Sequence, residues 1–295
     1  MKPLGVIINP AANRGSAAAI GPKVFSKFAE LGIDVIDFSA DSAASAKAAL
    51  LARSQELSGI VVAGGDGTSQ LGVNIAMETG LPLGLIPAGS GNDQVRQLGI
   101  SLDDPQAALE NIAGALANPR RVDVMLVEKS DRRFWSLGSV SAGFDAICAQ
   151  RANGLKWPKG PNSYVAAMLL ELPRFKPIDY RIVADGTERS IRAMLCGVAN
   201  VKNFGGGMKI SPDSEITDGE VEVFILHEVS RPRLLQIFPK VYEGRHVEFP
   251  EVEIFKAKEI RVENSGFPTS CDGELVGPAP FSVTVHPAAL GLLSK

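Results

Sequence analysis

Three glycine-rich segments of this chain have the composition of phosphate-binding turns. The first, Gly64-Gly65-Asp66-Gly67-Thr68, follows an apolar run and opens a helical pattern. Glycines let backbone N–H groups come close to an anion, and a helix N-terminus adds a favourable dipole. Thr68 adds a hydroxyl, and Ser69 and Gln70 extend the same turn. A carboxylate beside phosphates is repelled by them, so Asp66 fits only if it reaches a divalent cation or a bound water. Three glycines with Asp and Thr exceed what a plain tight turn needs. The second segment, Pro87-Ala88-Gly89-Ser90-Gly91-Asn92-Asp93, also follows an apolar run. There Ser90 can donate to a phosphate, Asn92 can orient the loop, and Asp93 can join Asp66 around a metal. Taken alone, Asn92 or Asp93 reads equally well as a helix cap. The third, Asn9 to Gly15, offers the planar donor fork of Arg14, although a plain turn suits it as well.

Such turns work only where strands end and helices begin, and the pattern supplies both. Short apolar runs at Leu4–Asn9, Asp34–Phe38, Gly59–Ala63 and Leu83–Ile86 alternate with helical spacings. Those spacings fall at Ser16–Leu31, at Asp41–Leu57 with Asp41 or Ser42 as N-cap, at Thr68–Thr79 and at Gln106–Ala117 behind Asp104-Pro105. This alternation predicts a Rossmann-like open parallel sheet covered on both faces, with ligands at the carboxyl ends of its strands. Past Pro119 the pattern changes. Val122–Glu128 and Phe134–Val140 read as a hairpin, and Ala142–Ala152 and Ser163–Leu172 as helices. Tyr180–Ala184, Ser190–Ala199, Val221–Leu226, Val247–Phe255, Glu259–Glu263 and Phe281–His286 read as strands, with Asp-Gly turns between several of them. The expectation is two domains, an α/β domain over 1–123 and a mainly antiparallel β domain over 124–286, with 287–295 packing back onto the first.

Composition narrows the function. A net charge of −3 disfavours a nucleic-acid partner, because phosphate-contacting domains carry a basic excess. Three widely spaced cysteines make neither a disulfide framework nor a zinc knuckle, and they suit a reducing, cytoplasmic setting. No apolar run approaches the roughly 20 residues that span a bilayer, so no transmembrane segment is expected. The G-x-x-x-x-G-K-[ST] loop, the third glycine of a dinucleotide fingerprint, the protein-kinase motifs and the G-x-S-x-G elbow are all missing. The three histidines, His227, His246 and His286, read as core or surface residues.

The ordered set of motifs resembles the diacylglycerol kinase catalytic-domain superfamily, which includes bacterial soluble lipid kinases and the sphingosine and ceramide kinases. The residues that carry the resemblance are Gly64–Thr68, Gly89–Asp93, Ser141-Ala142-Gly143-Phe144-Asp145, Gly205–Asp213 and Cys271-Asp272-Gly273-Glu274. The first motif alone is also shared by NAD kinases and phosphofructokinases. The resemblance implies a nucleotide-binding α/β domain, a C-terminal β-sandwich and an active site in the cleft between them. It implies ATP contacts at Asn9, Ser39, Gly64, Gly65, Asp66, Gly67, Thr68, Ser69, Gln70, Ser90, Asn92 and Asp93. Gln70 departs from the Asn that the family often has there.

Phosphoryl transfer to a lipid hydroxyl needs charge neutralisation and a proton acceptor. Asp272 and Glu274 are the candidates, and the resemblance favours Glu274. Read without the resemblance, Asp272-Gly273 is one more hairpin turn. Asp66, Asp93 and Asp123 form an acidic set suited to Mg²⁺, although Asp123 could equally form an ion pair at the domain junction. The resemblance also implies a structural Mg²⁺ in the loop Ile210–Glu215, held by Asp213 and the carbonyls of Ile210 and Glu215, with the Glu215 side chain within reach. Leu155-Lys156-Trp157-Pro158-Lys159 mixes apolar, aromatic and basic residues suited to a headgroup interface, and Ser163–Leu172 could line an acyl-chain groove; ordinary interdomain packing accounts equally well for both. The expectation is therefore an ATP- and Mg²⁺-dependent lipid kinase making phosphatidate from diacylglycerol. It would be cytoplasmic, would meet its lipid substrate at the membrane surface, and could form a homodimer. A soluble-metabolite kinase of the NAD-kinase type and a non-catalytic regulator on the same fold are the alternatives.

Overall fold

The computed structural model describes residues 2–9, 20–89, 92–96, 98–102, 104–158, 161–203 and 207–294, without the side chains of Asp93 and Pro161. The chain divides into two compact units. Unit 1 comprises Met1–Val122 with Ala288–Lys295, and unit 2 comprises Asp123–Pro287.

Unit 1 alternates strand and helix: β1 (Leu4–Ile8), α1 (Ile20–Glu30), β2 (Val35–Asp37), α2 (Ala43–Ala52), β3 (Gly59–Gly64), α3 (Asp66–Thr79), β4 (Leu83–Pro87), α4 (Asp93–Arg96) and α5 (Pro105–Ala115). Every strand pair among β1–β4 is parallel, in the order β2-β1-β3-β4. The returning end of the chain adds one more parallel pairing, Leu292 beside Leu83. β1, β3 and β4 are buried along their whole length, as parallel strands covered on both faces must be. Helices α1 and α5 pack together, as do α2 and α3. Val24, Phe28, Leu109 and Ile112 meet Leu4, Val6 and Val61 in one apolar cluster. Ser42 caps α2 by accepting from Ser45 N at 3.1 Å, and Asp104 caps α5 ahead of Pro105. The order reverses between β1 and β3. That switch point is where ligands bind in open α/β sheets.

Unit 2 is antiparallel. After β5 (Arg120–Glu128), which crosses the unit boundary, come β6 (Arg133–Ser136), β7 (Ser139–Gly143), α6 (Phe144–Gly154), α7 (Pro161–Glu171), β8 (Ile178–Ala184), β9 (Thr187–Ala199) and β10 (Val221–His227). They are followed by α8 (Arg231–Glu243), β11 (Val252–Ala257), β12 (Glu259–Asn264), β13 (Pro268–Cys271), β14 (Glu274–Pro278) and β15 (Phe281–Leu292). β9 is the hub: it pairs with β7, β8 and β10. Tyr180, Val198, Val223, Val262 and Phe281 fill one core. Phe144, Met168, Leu226, Leu234 and Ile237 fill a second beneath α6, α7 and α8.

Several elements differ from the sequence expectation. The run Phe134–Val140 is two strands, β6 and β7, broken at Gly138. A Cβ there would stand 1.8 Å from Asp272 Oδ1, so the chain bends around that carboxylate. Helix α8 escapes the periodic reading because Pro232 and Pro239 punctuate it. Ser230 nevertheless caps it, a proline is compatible with its first turn, and Leu234, Ile237 and Val241 give its buried face. Val247–Phe255 is not one strand: a 3-10 turn spans Arg245–Glu248 before β11.

Candidate active site

The glycine turns of unit 1 stand at the carboxyl ends of adjacent strands. Asn9, just past β1, donates from its side chain to Thr68 Oγ1 at 3.2 Å. Ser39, just past β2, accepts from Ile8 N at 2.9 Å. Asn9, Ser39 and Thr68 are therefore neighbours at one sheet edge, at the switch point. Gly64 has no side chain because Thr68 occupies its place: a Cβ would lie 2.3 Å from Thr68 Oγ1. Gly65 precedes α3 without any side-chain cap, leaving that helix terminus to other partners. Ser69 is buried and Gln70 half-buried on the first turn of α3.

Asp66 and Asn92 bind the two turns into one structure. The Asp66 carboxylate accepts from Asn92 N at 3.1 Å and from Gln94 N at 3.4 Å, so it caps α4 across the loops. The Asn92 side chain accepts from Gly89 N and donates to Gly89 O, both at 2.9 Å. Asn92 itself sits at φ 56°, where Asn is among the few tolerated residues. Ser90, Gly91, Arg14, Lys159 and Gly205-Gly206, along with the Asp93 side chain, lie outside the described residues.

Unit 2 carries the candidate proton acceptors. Cys271 pairs with Glu274 across a two-residue loop. Asp272 and Gly273 take φ 50° and 82°, the positive pair that a type I′ hairpin turn requires. Asp272-Gly273 is thus a hairpin turn in geometry, yet its carboxylate is not solvated. It accepts from Ser136 Oγ at 2.7 Å and from Ser139 N at 2.9 Å. Glu274, one residue beyond, is exposed, and no described side chain pairs with it. Asp272 is therefore an anchor for the turn, whereas Glu274 faces solvent.

Beneath α7 and α8 lies a partly open cavity of about 70 Å³. Its walls are apolar, with Met168, Phe224 and Phe238 among them, except for Asp145, Tyr164 and His246. Asp145 stands on the first turn of α6 and is 4% exposed. It accepts from the Ser141 and Tyr164 hydroxyls, and burial pushes its carboxyl up. Sequence reasoning missed Asp145 as a site residue. The available signal was its place in the Ser141–Asp145 segment, after a glycine at φ 101° that the Tyr180 hydroxyl packs against.

The expected metal ligands are more dispersed. Among the described residues no group of three His, Cys, Asp or Glu side chains converges on a point. Asp123 is buried and accepts from Gly219 N at 2.7 Å. In the 210–215 loop Asp213 is exposed, Glu215 pairs with Lys202 at 3.3 Å, and the Ile210 carbonyl accepts from His246 Nε2 at 3.0 Å. Both Asp66 oxygens hold backbone N–H groups, and a carboxylate oxygen carries two lone pairs. That fits Mg²⁺, which takes few carboxylates and keeps waters.

Comparison with known proteins places this geometry. The diacylglycerol kinase catalytic domain matches residues 3–127, and the YegS C-terminal NAD kinase beta sandwich-like domain matches 138–294. The chain is 32% identical over 290 residues to a diacylglycerol kinase of Mycobacterium tuberculosis, covering 97% of this chain and 93% of that one. It is 27% identical over 284 residues to a diacylglycerol kinase of Bacillus subtilis, covering 95% and 92%. A lipid kinase described as YegS-like, from Stenotrophomonas maltophilia, is 27% identical over 251 residues, covering 79% and 80%. The fold matches a solved structure from Bacillus anthracis over 100% of this chain and 97% of that one, with TM-score 0.80 at 21% identity. No described helix is long and apolar enough to cross a membrane.

Proposed function

The chain belongs to the diacylglycerol kinase family and is a lipid kinase, and from that premise we propose that it transfers the γ-phosphoryl group of ATP to the hydroxyl of diacylglycerol, giving phosphatidate. The observation that carries the choice of acceptor is the cavity in unit 2. Its apolar lining suits the tip of an acyl chain, its volume being far below the roughly 300 Å³ of a site that encloses a whole ligand, and it offers a nicotinamide nucleotide few hydrogen-bond partners.

Unit 1 holds the donor. The uncapped start of α3, the backbone of Gly64–Gly67 and the Thr68 hydroxyl present donors to the phosphates, with Asn9 and Ser39 beside them; Ser90 is assigned to the same phosphates on its sequence motif alone. Asp66, with Asp93 on the second turn, would hold Mg²⁺ directly or through water, and that ion would supply neutralisation of phosphate charge; Asp123, buried in unit 2 against Gly219 N, is left out of this set. Unit 2 holds the acceptor. Glu274 takes the hydroxyl proton as the new O–P bond forms and the bond from γ-phosphorus to the ADP oxygen breaks. Asp272 keeps the Glu274 turn in place through Ser136 and Ser139.

The experiment supplies γ-labelled ATP and Mg²⁺ with diacylglycerol, sphingosine, ceramide and NAD in turn. Label in diacylglycerol is expected. Label in NAD alone would replace this reading with that of a soluble-metabolite kinase, and label in none would point to a regulator.

A further inference from the structure

Helix α7 departs from the usual pattern of a surface helix. It carries no charged residue before its last, Glu171. Its inner face, with Ala167 and Met168, is buried. Its outer face lies in water yet carries Leu169 and Leu170, 51% and 46% exposed. A helix that is apolar all round is ordinarily enclosed by protein or lipid. Helix α8 runs antiparallel beside it. Arg231, at the start of α8, donates to Pro173 O at 2.5 Å just past the end of α7. At the other end, Tyr164 packs in one cluster with Phe238 and Val241. One turn from Arg231, Leu235 is 46% exposed.

The rim of this face is cationic. Arg174 and Lys176 follow α7 directly and are exposed, as is Arg231. None of the three is ion-paired with a described carboxylate, whereas Glu171, the one acid of α7, is held by Arg151 at 3.4 Å. We propose that this face, Leu169, Leu170 and Leu235 rimmed by Arg174, Lys176 and Arg231, docks onto an anionic bilayer surface. Leucines at the acyl boundary and cations at the headgroups are the two contributions that hold a protein in the interface. A net charge of −3 provides no global attraction, so the attraction has to be local. A second copy of the chain is a poorer occupant. In a two-fold contact the patch meets itself, bringing like cations together. The inner faces of the same helices line the cavity assigned to the acyl chain, so the proposal rests on the lipid-kinase reading for its purpose.

The test is sedimentation with vesicles of phosphatidylcholine alone or mixed with phosphatidylglycerol, without ATP. The protein is expected to bind the mixed vesicles. Leu169→Ser with Leu170→Ser should weaken binding roughly tenfold or more, and Arg174→Glu with Lys176→Glu roughly fivefold or more per cation. Both variants should keep the thermal unfolding midpoint and the turnover of a water-soluble short-chain diacylglycerol. The proposal is overturned if wild type ignores the mixed vesicles, if either variant binds them as wild type does, or if wild type is a dimer that Leu169→Ser with Leu170→Ser dissociates. Binding without phosphorylation of any diacylglycerol supports the docking face and counts against the kinase reading. Turnover of the short-chain lipid without vesicle binding does the reverse.

Discussion

Gly65 and Gly89 meet backbone to backbone: a Cβ on Gly89 would stand 2.3 Å from the Cα of Gly65. The two glycine turns are thus one surface, and their glycines are needed for close approach as much as for turning. Gly89→Ala must push the turns apart. Overpacking of this kind costs about 1–3 kcal/mol, and the displaced amides should weaken ATP binding at least about tenfold. Calorimetric titration with ATP checks this, and an unchanged Kd would mean that the turns do not share a ligand.

Asp272 and Glu274 are neighbours with different expected phenotypes. Glu274→Gln should lower kcat by roughly 10²–10⁴ and leave the unfolding midpoint unchanged, because the side chain is exposed and is in no side-chain hydrogen bond or ion pair among the described residues. Asp272→Ala removes the acceptor for Ser136 Oγ and Ser139 N, so it should cost about 1–3 kcal/mol of stability as well as activity. Thermal unfolding beside single-turnover kinetics separates the two. A stable, inactive Asp272→Ala protein would move the proton acceptor to Asp272.

These residues also show what the sequence could and could not convey. Parallel strands buried on both faces give continuous apolar runs, and glycine turns mark their ends, so β1, β3, β4 and the turns at Gly64 and Gly89 were legible. The hairpin at Asp272 was legible as a turn. That its carboxylate points inward was not, because Ser136 and Ser139 lie more than a hundred residues earlier in the chain. Asp145 was hidden for a different reason: its partner Tyr164, only 19 residues on, comes from another helix whose packing the sequence does not show. Helix α8 was masked by its own prolines.

Gln94 is buried on α4, and its side-chain oxygen and nitrogen have no hydrogen-bond partner among the described residues. An unsatisfied buried amide costs about 1–3 kcal/mol. Gln94→Leu removes both polar atoms at similar volume, so it should raise the unfolding free energy of the ligand-free protein by about 1 kcal/mol or more. Denaturant titration measures it. A loss of stability would show that Gln94 is satisfied by ordered water.

Glu222 is 4% exposed on β10, and its carboxylate accepts from the Ser214 hydroxyl. Burial pushes its pKa up, with Ser214 and Lys256 pulling it back. A carboxyl raised in the folded state contributes stability that is full below its ordinary value of 4.5 and is lost as pH rises through the folded value. Across that window the wild-type unfolding midpoint should therefore fall relative to Glu222→Gln, which carries no titrating group there. Parallel midpoint-against-pH curves for the two proteins would show that Glu222 ionises as an exposed carboxyl does.

The loop 210–215 presents Asp213 to solvent, and His246 holds the Ile210 carbonyl of the same loop at 3.0 Å. A carbonyl only accepts, so His246 Nε2 carries a proton, and burial lowers the pKa of the ring and so disfavours its charged form. A neutral donor leaves the second lone pair of Ile210 O available to a cation, where a charged imidazolium would repel one. If Asp213 and this carbonyl hold Mg²⁺, dialysed wild-type protein should retain the metal by elemental analysis and Asp213→Ala should not. Chelator should lower the unfolding midpoint of the wild type and leave that of Asp213→Ala unmoved. Equal metal content in the two proteins would remove the cation from this loop and leave the His246 bond as what fixes its shape.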